Sequence, residues 1–450
     1  MGVENRRGFA TSLGAIAAAA GGAVGLGNIW RFPYMVGENG GAAFILIYLL
    51  FIFFLGMPVL LCELTIGRHA QSNIIDAFGR ITPKHKGWVW IGIMGFICSI
   101  FVYSFYSVVA GWTFHYVVLS CRGSLMGLSA EEISNGFFDF MTAPWAPLLP
   151  MGVIFLLTGV IVTAGIQKGI ERFSKILMPI LVGLMLLLCV RAVTLPNAQE
   201  GLAFLFKPDF SKLSRSAVLS ALGQAFFSLS IGMGAVMIYG SYIRKEDNLF
   251  KTSLAVATAD TMVALLAGIA IFPAVFAFGL SPASGPSLVY EVMPNVFNAM
   301  HGGVFFSIFF FILLTIAAIT STISLLEISV SYITEKTKLK RSVVTMAVSF
   351  VIFAIGTLAS LSLGKLSDMT ICNLTFFDFL DTLTSTYLLP IGAIGITIYV
   401  GWIFPKEKLI NELSNAGTLK IGWFKFFYFI VRYIAPIALI LVLIFGIFKL

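Results

Sequence analysis

Long apolar runs separated by short polar segments dominate the 450-residue chain. One of them, FILIYLLFIFFLGMPVLL from Phe44 to Leu61, holds eighteen residues without a formal charge and is long enough to cross a bilayer as a helix. The same pattern recurs to the end of the chain. It predicts eleven membrane-spanning helices, called spans one to eleven below, at roughly 11–37, 42–67, 88–120, 149–165, 171–193, 217–243, 252–279, 303–334, 341–361, 375–403 and 422–448.

Composition supports a membrane protein. Hydrophobic residues make up 58% of the chain and charged residues only 11%, against about a quarter in soluble domains. The first apolar stretch is longer than a signal peptide and lacks a small-residue cleavage site, so we expect it to remain in the mature protein. No soluble domain separates from the spans, so residues 1–450 are expected to form a single transmembrane domain.

The net charge is +8, and the lysines and arginines are unevenly divided between alternate polar segments. With the N-terminus inside, the inner segments hold 20 of the 29 lysines and arginines and the outer segments hold seven. This bias predicts a cytoplasmic N-terminus, and an odd number of spans then puts the C-terminus outside. The five cysteines and four histidines are scattered without the spacing of a metal site or a disulfide framework.

Spans one and six contain residues that a lipid-spanning helix normally avoids. Span one reads GGAVGLGNIWRFPY from Gly21 to Tyr34, and span six reads FFSLSIGMGAVMIYGSY from Phe226 to Tyr242. Unwinding a helix in lipid leaves backbone groups without hydrogen bonds, at several kcal/mol each, unless something polar occupies the gap. Free carbonyls suit small cations and helix N-termini suit a carboxylate, so the breaks predict a site for a zwitterion together with cations.

The two breaks are five spans apart, so the two halves run in opposite directions across the membrane. This predicts an inverted repeat with its site at the repeat interface. The repeats would cover 11–193 and 217–403, followed by an eleventh helix at 422–448. Close helix packing is the alternative explanation for glycines, and we adopt it for Gly37, Gly40 and Gly41. It is weaker from Gly21 to Asn28, because Asn28 and Arg31 add a polar and a charged group at membrane depth.

Five segments, NIWRFPY, ENGGAAF, LGQAFFSLSIGMGA, YGSYIRK and AAITSTISLLE, closely resemble signature segments of the neurotransmitter:sodium symporter family. The resemblance covers essentially the whole chain and is strongest to bacterial hydrophobic amino-acid transporters of the eleven-helix type. It implies an all-α polytopic membrane protein with a leucine-transporter-type inverted repeat (5+5) and broken helices 1 and 6. Because this family defines the broken-helix arrangement, the agreement is not an independent finding.

The resemblance implies two co-transported sodium ions and no organic cofactor. The first ion would be bound by the carbonyl of Ala23, the side chains of Asn28, Ser228 and Asp260, and the substrate carboxylate. The second would be bound by the carbonyls of Gly21, Val24 and Ala317 and the hydroxyls of Thr320 and Ser321. The positions i, i+3 and i+4 of the last three place them on one helix face. Bonding of both hydroxyls to their own helix is the alternative.

The resemblance also implies a substrate pocket. Gly25 stands where amine transporters of the family carry an aspartate, so the substrate's own carboxylate would fit there and complete the first sodium site. Tyr106 would donate to that carboxylate, and Val102, Met233 and Leu325 would surround an apolar side chain. The full expected set is Gly22, Ala23, Gly25, Gly27, Val102, Tyr106, Phe227, Ser228, Ser230, Met233, Ser321 and Leu325.

Gates on both sides follow from the same resemblance. Arg31 and Asp381 would close the outer vestibule, with Phe227 and Tyr106 beneath them. Arg6 and Glu335 would close the inner side near Tyr242. In span five, Gly169 and Pro179 match a helix-unwinding motif of the family, although Pro179 is equally explained as an ordinary kink.

The expected function is sodium-coupled import of neutral hydrophobic L-amino acids by alternating access, in the plasma (inner) membrane. Chloride-dependent relatives carry asparagine at the position of Asp260 and serine one turn later, where this chain has Ala264, so we expect no chloride requirement. Tyr48, Gln224 and Ser228 of the family's anion site are nonetheless present. The alternatives are transport of another small amino acid, osmolyte or amine, and a passive channel or sensor. The sequence shows no nucleophile–base pair, so we do not expect an enzyme. The expected partners are the amino-acid substrate and the lipid bilayer, and no nucleic acid. The protein is expected to be a monomer or a weak homodimer.

Overall fold

The computed structural model describes residues 8–282 and 288–448. These residues form helices, and no β-strand occurs among them. The helices that precede the break in span six are Ser12–Ala23, Gly27–Glu38, Ala42–Ala70, Ile74–Ile81, Lys86–Arg122, Ala130–Thr142, Leu148–Thr163, Ile166–Val193, Ala198–Phe206 and Arg215–Ser228. Those that follow it are Ala235–Gly240, Leu249–Ala277, Val292–Ala299, Gly303–Thr337, Arg341–Leu361, Phe376–Ile403, Lys406–Leu413 and a last helix from Phe424 to Phe448.

Eight of the described helices are long and apolar enough to cross a membrane, and the bent pair that forms span one makes nine. Spans four and six do not reach that length. Span four is the 16-residue helix Leu148–Thr163, and span six is interrupted between Ser228 and Ala235. The fold is therefore that of a multi-span helical protein, while the count of eleven stays a prediction.

Side-chain caps fix where several spans begin. The hydroxyl of Thr11 accepts from the backbone N–H of Gly14 at 3.0 Å at the start of span one. Ser214 accepts from Ala217 at the start of span six in the same way. Each cap satisfies one of the N–H groups that the first helical turn leaves unpaired.

The three longest predicted outer loops, 121–148, 194–216 and 280–302, each contain a short helix. These are Ala130–Thr142, Ala198–Phe206 and Val292–Ala299. The first begins with a reciprocal cap, in which Ser129 accepts from the Glu132 backbone and the Glu132 side chain accepts from that of Ser129. Two further short helices, Ile74–Ile81 and Lys406–Leu413, lie in predicted inner segments.

Spans one and six lie at the centre of the helix bundle and are broken near their middles. The two parts of span one meet at 49°. Spans three and eight pack along each other beside this break. Hydroxyl pairs join span eight to its other neighbours: Ser324 bonds Tyr239 of span six at 2.9 Å, and Thr322 bonds Thr158 of span four at 2.8 Å. The breaks therefore face a packed, partly polar interior.

Several spans also contain wide, π-helical turns that the sequence pattern does not predict. One follows the break in span one at Gly27–Arg31. Two others, Tyr399–Ile403 in span ten and Ile430–Ile434 in span eleven, pack against each other. Such turns are rare and often mark functional positions.

Candidate substrate and ion site

The glycines of span one leave space for neighbouring side chains. A Cβ atom built on Gly25 would lie 2.9 Å from the hydroxyl oxygen of Tyr106 and closer still to that of Ser321. One on Gly22 would lie 2.7 Å from the hydroxyl oxygen of Ser324. Neither glycine has a positive φ. Their role is thus close approach, not backbone freedom.

Span six breaks for a different reason. Ser230, Gly232 and Gly234 have φ values of 54°, 94° and 84°, in the left-handed region that ends a helix and favours glycine. The carboxylate of Glu63, which is fully buried in span two, accepts from the backbone N–H of Gly232 at 2.7 Å and of Met237 at 3.2 Å. It therefore satisfies amides that the break leaves free.

The role of Glu63 was not predicted from the sequence. Its signal was a single acid within the apolar run of span two, which is a rare position for a carboxylate. The buried Glu327 was likewise not predicted to have a role, although the segment AAITSTISLLE ends on it.

The two breaks and spans three, eight and ten surround one small cavity. It encloses about 30 Å³, room for about two water molecules. Its walls include Val102, Met233 and Leu325 as expected. Of the twelve residues expected at the substrate, eleven line it, and Ser228 does not. The lining set is Gly22, Ala23, Gly25, Gly27, Val102, Tyr106, Phe227, Ser230, Met233, Ala235, Ser321, Ser324, Leu325 and Leu389.

Asn28, Ser228 and Asp260 form a buried polar cluster beside this cavity, with exposed fractions of 0%, 1% and 0%. The amide nitrogen of Asn28 donates to Asp260 Oδ1 at 2.7 Å and to Ser228 Oγ at 3.0 Å. Ser228 Oγ lies 2.8 and 2.9 Å from the two carboxylate oxygens. Tyr48 donates to Asp260 more weakly, at 3.4 Å. A carboxylate, a hydroxyl and an amide therefore converge from spans one, six and seven.

The orientation of Asn28 bears on cation binding. Its Oδ1 accepts from the backbone N–H of Gly25 at 2.9 Å, while its NH2 group faces Asp260 and Ser228. The amide hydrogens thus supply positive character to the same oxygens that a cation would contact. A cation at this point would require the amide to turn its oxygen towards the cluster.

A second set of oxygens lies where span eight meets span one. The hydroxyl of Thr320 donates to the carbonyl of Val24 at 3.2 Å and lies 2.9 Å from that of Ala317. Gly21 is beside it, since a Cβ there would lie 3.6 Å from Thr320 Cβ. Ser321 instead faces the cavity beside Gly25. The hydroxyl of Thr320 thus bonds both across to span one and back to its own helix.

The outer pair is apart in this structure. Among the described residues, Arg31 and Asp381 form no ion pair within 4.0 Å. Arg31 donates to Gln224 Oε1 at 2.9 Å, and its guanidinium lies 4.6 Å from the centre of the Phe227 ring. Gln224 in turn donates to the carbonyl of Gly27 at 2.9 Å. Arg31 therefore ties span one to span six on the predicted outer side of the cavity.

The start of span one is held by two carboxylates that the sequence analysis did not single out. Glu171 accepts from the backbone of Ala10 at 2.7 Å and from Thr11 at 3.1 Å. Asp247 accepts from the hydroxyl of Ser12. The backbone N–H of Phe9 also donates to the carbonyl of Tyr242 at 2.9 Å. These contacts tie the start of span one to the start of span five and to the segment that follows span six.

Of the expected inner pair, Arg6 lies outside the described residues and Glu335 lies within them. Glu335 accepts from the backbone and side-chain nitrogens of Asn73 at 3.2 and 2.7 Å. Tyr242 donates to Glu327 at 2.7 Å, and Glu327 also binds Arg341. These groups thus join separate segments on the predicted inner side.

The family-like feature of span five is present in part. A wide turn at Ile166–Glu171 contains Gly169, and the following helix Arg172–Val193 is continuous through Pro179. Met178, one residue before the proline, has its sulfur 3.6 Å from a Cβ built on Gly21. Span five therefore packs against the second set of oxygens without being unwound there.

Comparisons with known proteins agree with this geometry. The family model described as the Sodium:neurotransmitter symporter family matches residues 6–136 and 132–450. The sodium-dependent transporter YhdH of Bacillus subtilis is 40% identical over 96% of both chains. A sodium-dependent transporter of Haemophilus influenzae is 35% identical over 99% of both.

A solved structure, the crystal structure of MhsT in complex with L-phenylalanine, superposes with a TM-score of 0.91. The two sequences are 43% identical, and the match covers 98% of this chain and 100% of that one. The all-α transporter fold that the resemblance implies is thereby confirmed. The chain belongs to the sodium:neurotransmitter symporter family, and it is a membrane transporter, not an enzyme.

Proposed function

We propose that this protein couples the import of a neutral hydrophobic L-amino acid to sodium entry by alternating access. The observation that carries the proposal is the space at Gly25. It opens onto the apolar cavity and lies beside the Asn28–Ser228–Asp260 cluster, and Tyr106 and Ser321 flank it. A substrate carboxylate held there would meet a cation and a hydroxyl, and its side chain would meet Val102 and Met233. The bound L-phenylalanine of MhsT supports this class of substrate.

Two sodium ions are proposed as co-substrates. The first would contact Asn28, Ser228 and Asp260 with the Ala23 carbonyl, and the second would contact Thr320 with carbonyls of span one. Both sets consist of hard oxygen atoms, which suit small cations. Entry of one ion at about −100 mV supplies roughly 2.3 kcal/mol, and a tenfold sodium gradient adds roughly 1.4 kcal/mol. Two ions would then drive substrate accumulation of about 10⁵-fold.

Chloride independence is part of the proposal. The carboxylate of Asp260 lies 2.8 Å from Ser228 Oγ and 3.4 Å from the hydroxyl of Tyr48. These are two of the groups that the family resemblance assigns to an anion. A chloride ion placed among them would be repelled by a fixed negative charge at close range. The carboxylate supplies the compensating charge instead.

Smaller substrates form the second candidate class, because the cavity encloses only about 30 Å³. The two substrate classes are separated by measuring equilibrium binding of all twenty amino acids to the purified protein. The measurement is made in sodium and again with potassium in its place. Leucine, phenylalanine or tryptophan binding only in sodium supports the first proposal. Binding of glycine and alanine without the larger residues would overturn it, and sodium-independent uptake would overturn coupling.

For the membrane arrangement we propose insertion in the plasma membrane with a cytoplasmic N-terminus. The charge bias of the predicted inner segments supports this orientation. The proposed repeats, 11–193 and 217–403, would then place both breaks near the bilayer midplane. The orientation is tested with single cysteines introduced at the exposed positions Lys365 and Lys408. An impermeant reagent added from one side should label only one of them, since the two are expected on opposite sides of the membrane.

A further inference from the structure

Arg432 is a charged residue within span eleven that the transport site does not use. It lies in the wide turn Ile430–Ile434, eight residues after the helix begins at Phe424. At 1.5 Å per residue this is about 12 Å along the helix. Charged side chains within spans are costly and usually serve a binding or transport function.

The packing around Arg432 holds its side chain in place. Its guanidinium lies 4.1 Å from the ring centre of Trp402, 5.5 Å from that of Tyr433 and 5.8 Å from that of Tyr428. Trp402 also donates to the backbone carbonyl of Arg432 at 3.2 Å. A Cβ on Gly401 would lie 2.9 Å from Arg432 Cα, so the two wide turns meet here at close range.

Within the described part of the chain, no carboxylate pairs with Arg432, and its buried Nε has no hydrogen-bond partner. A second cation lies nearby, because Lys406 Nζ is 5.3 Å from the centre of the same Tyr428 ring. The closest acid to Lys406 in sequence, Glu407, is exposed. Glu412 on the same short helix is already bound by other cations. Two positive charges thus share one aromatic ring without an acidic partner.

The surface around this pair is exposed and aromatic. Trp402 and Tyr433 are 55% and 43% exposed, and Phe426 and Phe429 beside them are also exposed. Tryptophan and tyrosine collect where the hydrocarbon meets the headgroups, and basic groups there attract anionic lipids. A phosphodiester offers oxygens that a guanidinium can bind with two parallel hydrogen bonds.

We propose that Arg432 and Lys406 bind the phosphate of an anionic glycerophospholipid at the junction of spans ten and eleven. The acyl chains would lie along the exposed aromatic face, and Trp402 would hold the guanidinium towards the headgroup. Because Trp402 and Lys406 lie at the predicted inner end of span ten, bound lipid would brace the inner parts of spans ten and eleven against each other.

Native mass spectrometry of the full-length protein tests this proposal. Wild type is compared with Arg432→Gln in matched phosphatidylglycerol and phosphatidylcholine. Loss of the guanidinium that contacts the bound phosphate should reduce the preference for phosphatidylglycerol about fivefold. Arg191→Gln is the matched control, since its guanidinium also lies over an aromatic ring, 5.7 Å from the centre of Phe306. It should keep the wild-type preference.

Lys406→Gln provides a second variant, at an exposed position where folding is not at risk. It should lower the preference in the same direction. Added inorganic phosphate should not displace the lipid, because the site includes the acyl chains. Equal preference in wild type, Arg432→Gln and Lys406→Gln would overturn the proposal, as would displacement by inorganic phosphate. If a dimer is lost in Arg432→Gln while lipid binding stays the same, Arg432 contacts a second copy of the chain and not a lipid. That result would also overturn the proposal.

Discussion

The side-chain amide of Asn28 donates to the carboxylate of Asp260 at 2.7 Å and so joins the break of span one to span seven. Because Asp260 is fully buried, its negative charge is most favourable with a cation beside it.

The first prediction concerns this carboxylate. Asp260→Asn should abolish sodium-dependent uptake or make the remaining uptake depend on chloride, because the fixed charge is lost while Tyr48 and Ser228 remain. Uptake is measured in sodium chloride and in sodium gluconate. Asp368→Asn, at an exposed outer position, is the control and should behave as wild type. Wild-type uptake that falls strongly in gluconate would contradict the role assigned to Asp260.

The second prediction concerns Thr320, whose hydroxyl lies 3.2 Å from the carbonyl of Val24. Thr320→Ala should raise the sodium concentration for half-maximal uptake at least tenfold, because a hydrogen-bonding oxygen next to a cation is worth about 1.5–3 kcal/mol. A sodium titration at fixed substrate measures it. Thr322→Ala removes a hydroxyl on the same helix that bonds Thr158 instead, and should leave the sodium dependence unchanged. Equal shifts in both variants would argue against a second ion at Thr320.

The third prediction concerns the space at Gly25. Gly25→Ala adds a methyl group that would collide with Ser321 and Tyr106, where the substrate carboxylate is proposed to bind. Substrate affinity should fall at least tenfold while the protein still folds, because Gly25 has no positive φ. Gly183→Ala, with nothing within 4 Å of the added Cβ, is the control. Isothermal titration of both variants, after a check of thermal stability, gives the comparison; unchanged affinity in Gly25→Ala would place the carboxylate elsewhere.

The residues of the candidate site could be selected from the sequence because polar residues and glycines are conspicuous in apolar runs. Asn28 and the glycines around it could be singled out on that basis, and so could the matching break at Gly232. What spacing cannot give is the physical role of each glycine. Gly25 turns out to make room, whereas Gly232 adopts a left-handed backbone and packs against the carbonyl of Leu389.

Contacts between distant segments were beyond the sequence pattern. Glu171 bonds to Ala10 across 161 positions, and no local periodicity links the two. Arg31 was expected to meet Asp381, yet it bonds Gln224 in this structure. The wide turns could not be predicted either, because about one extra residue in a turn leaves the apolar pattern of a span almost unchanged. Glu63 carried a usable signal, namely a lone acid in a span.

The fourth prediction concerns Glu412, on the short helix after span ten. Burial alone would raise the pKa of Glu412, but hydrogen bonds from His69 and Lys245 and the charge of Arg68 lower it from 4.5 to about 2. A lowered folded-state pKa stabilises the protein above pH 4.5, and this stability is lost as the pH falls towards 2. The protein should therefore become less heat-stable over that window.

Glu412→Gln should lower the melting temperature at pH 7 and flatten its fall between pH 4.5 and the acid limit. Removing one partner of a buried ion pair costs about 3–5 kcal/mol, since it leaves Arg68 without its carboxylate. Thermal unfolding followed by tryptophan fluorescence measures both effects. Glu407→Gln, exposed on the same helix, should change neither. A wild-type-like pH profile in Glu412→Gln would show that other carboxylates set the acid sensitivity.

The fifth prediction concerns the outer gate. Arg31 now donates to Gln224 at 2.9 Å and forms no ion pair with Asp381 within the described structure. If closure exchanges Gln224 for Asp381, the new ion pair stabilises only the closed state, and a contact made in one state alone shifts the equilibrium towards it. Asp381→Asn should therefore slow uptake several-fold while changing equilibrium substrate affinity much less. Asp378→Asn is the control, because its carboxylate lies in the same helix but accepts from Thr375 at 2.7 Å. Initial uptake rates are compared with dissociation constants for both variants, and an equal loss of rate and affinity in Asp381→Asn would mean that this carboxylate acts in binding and not in closure.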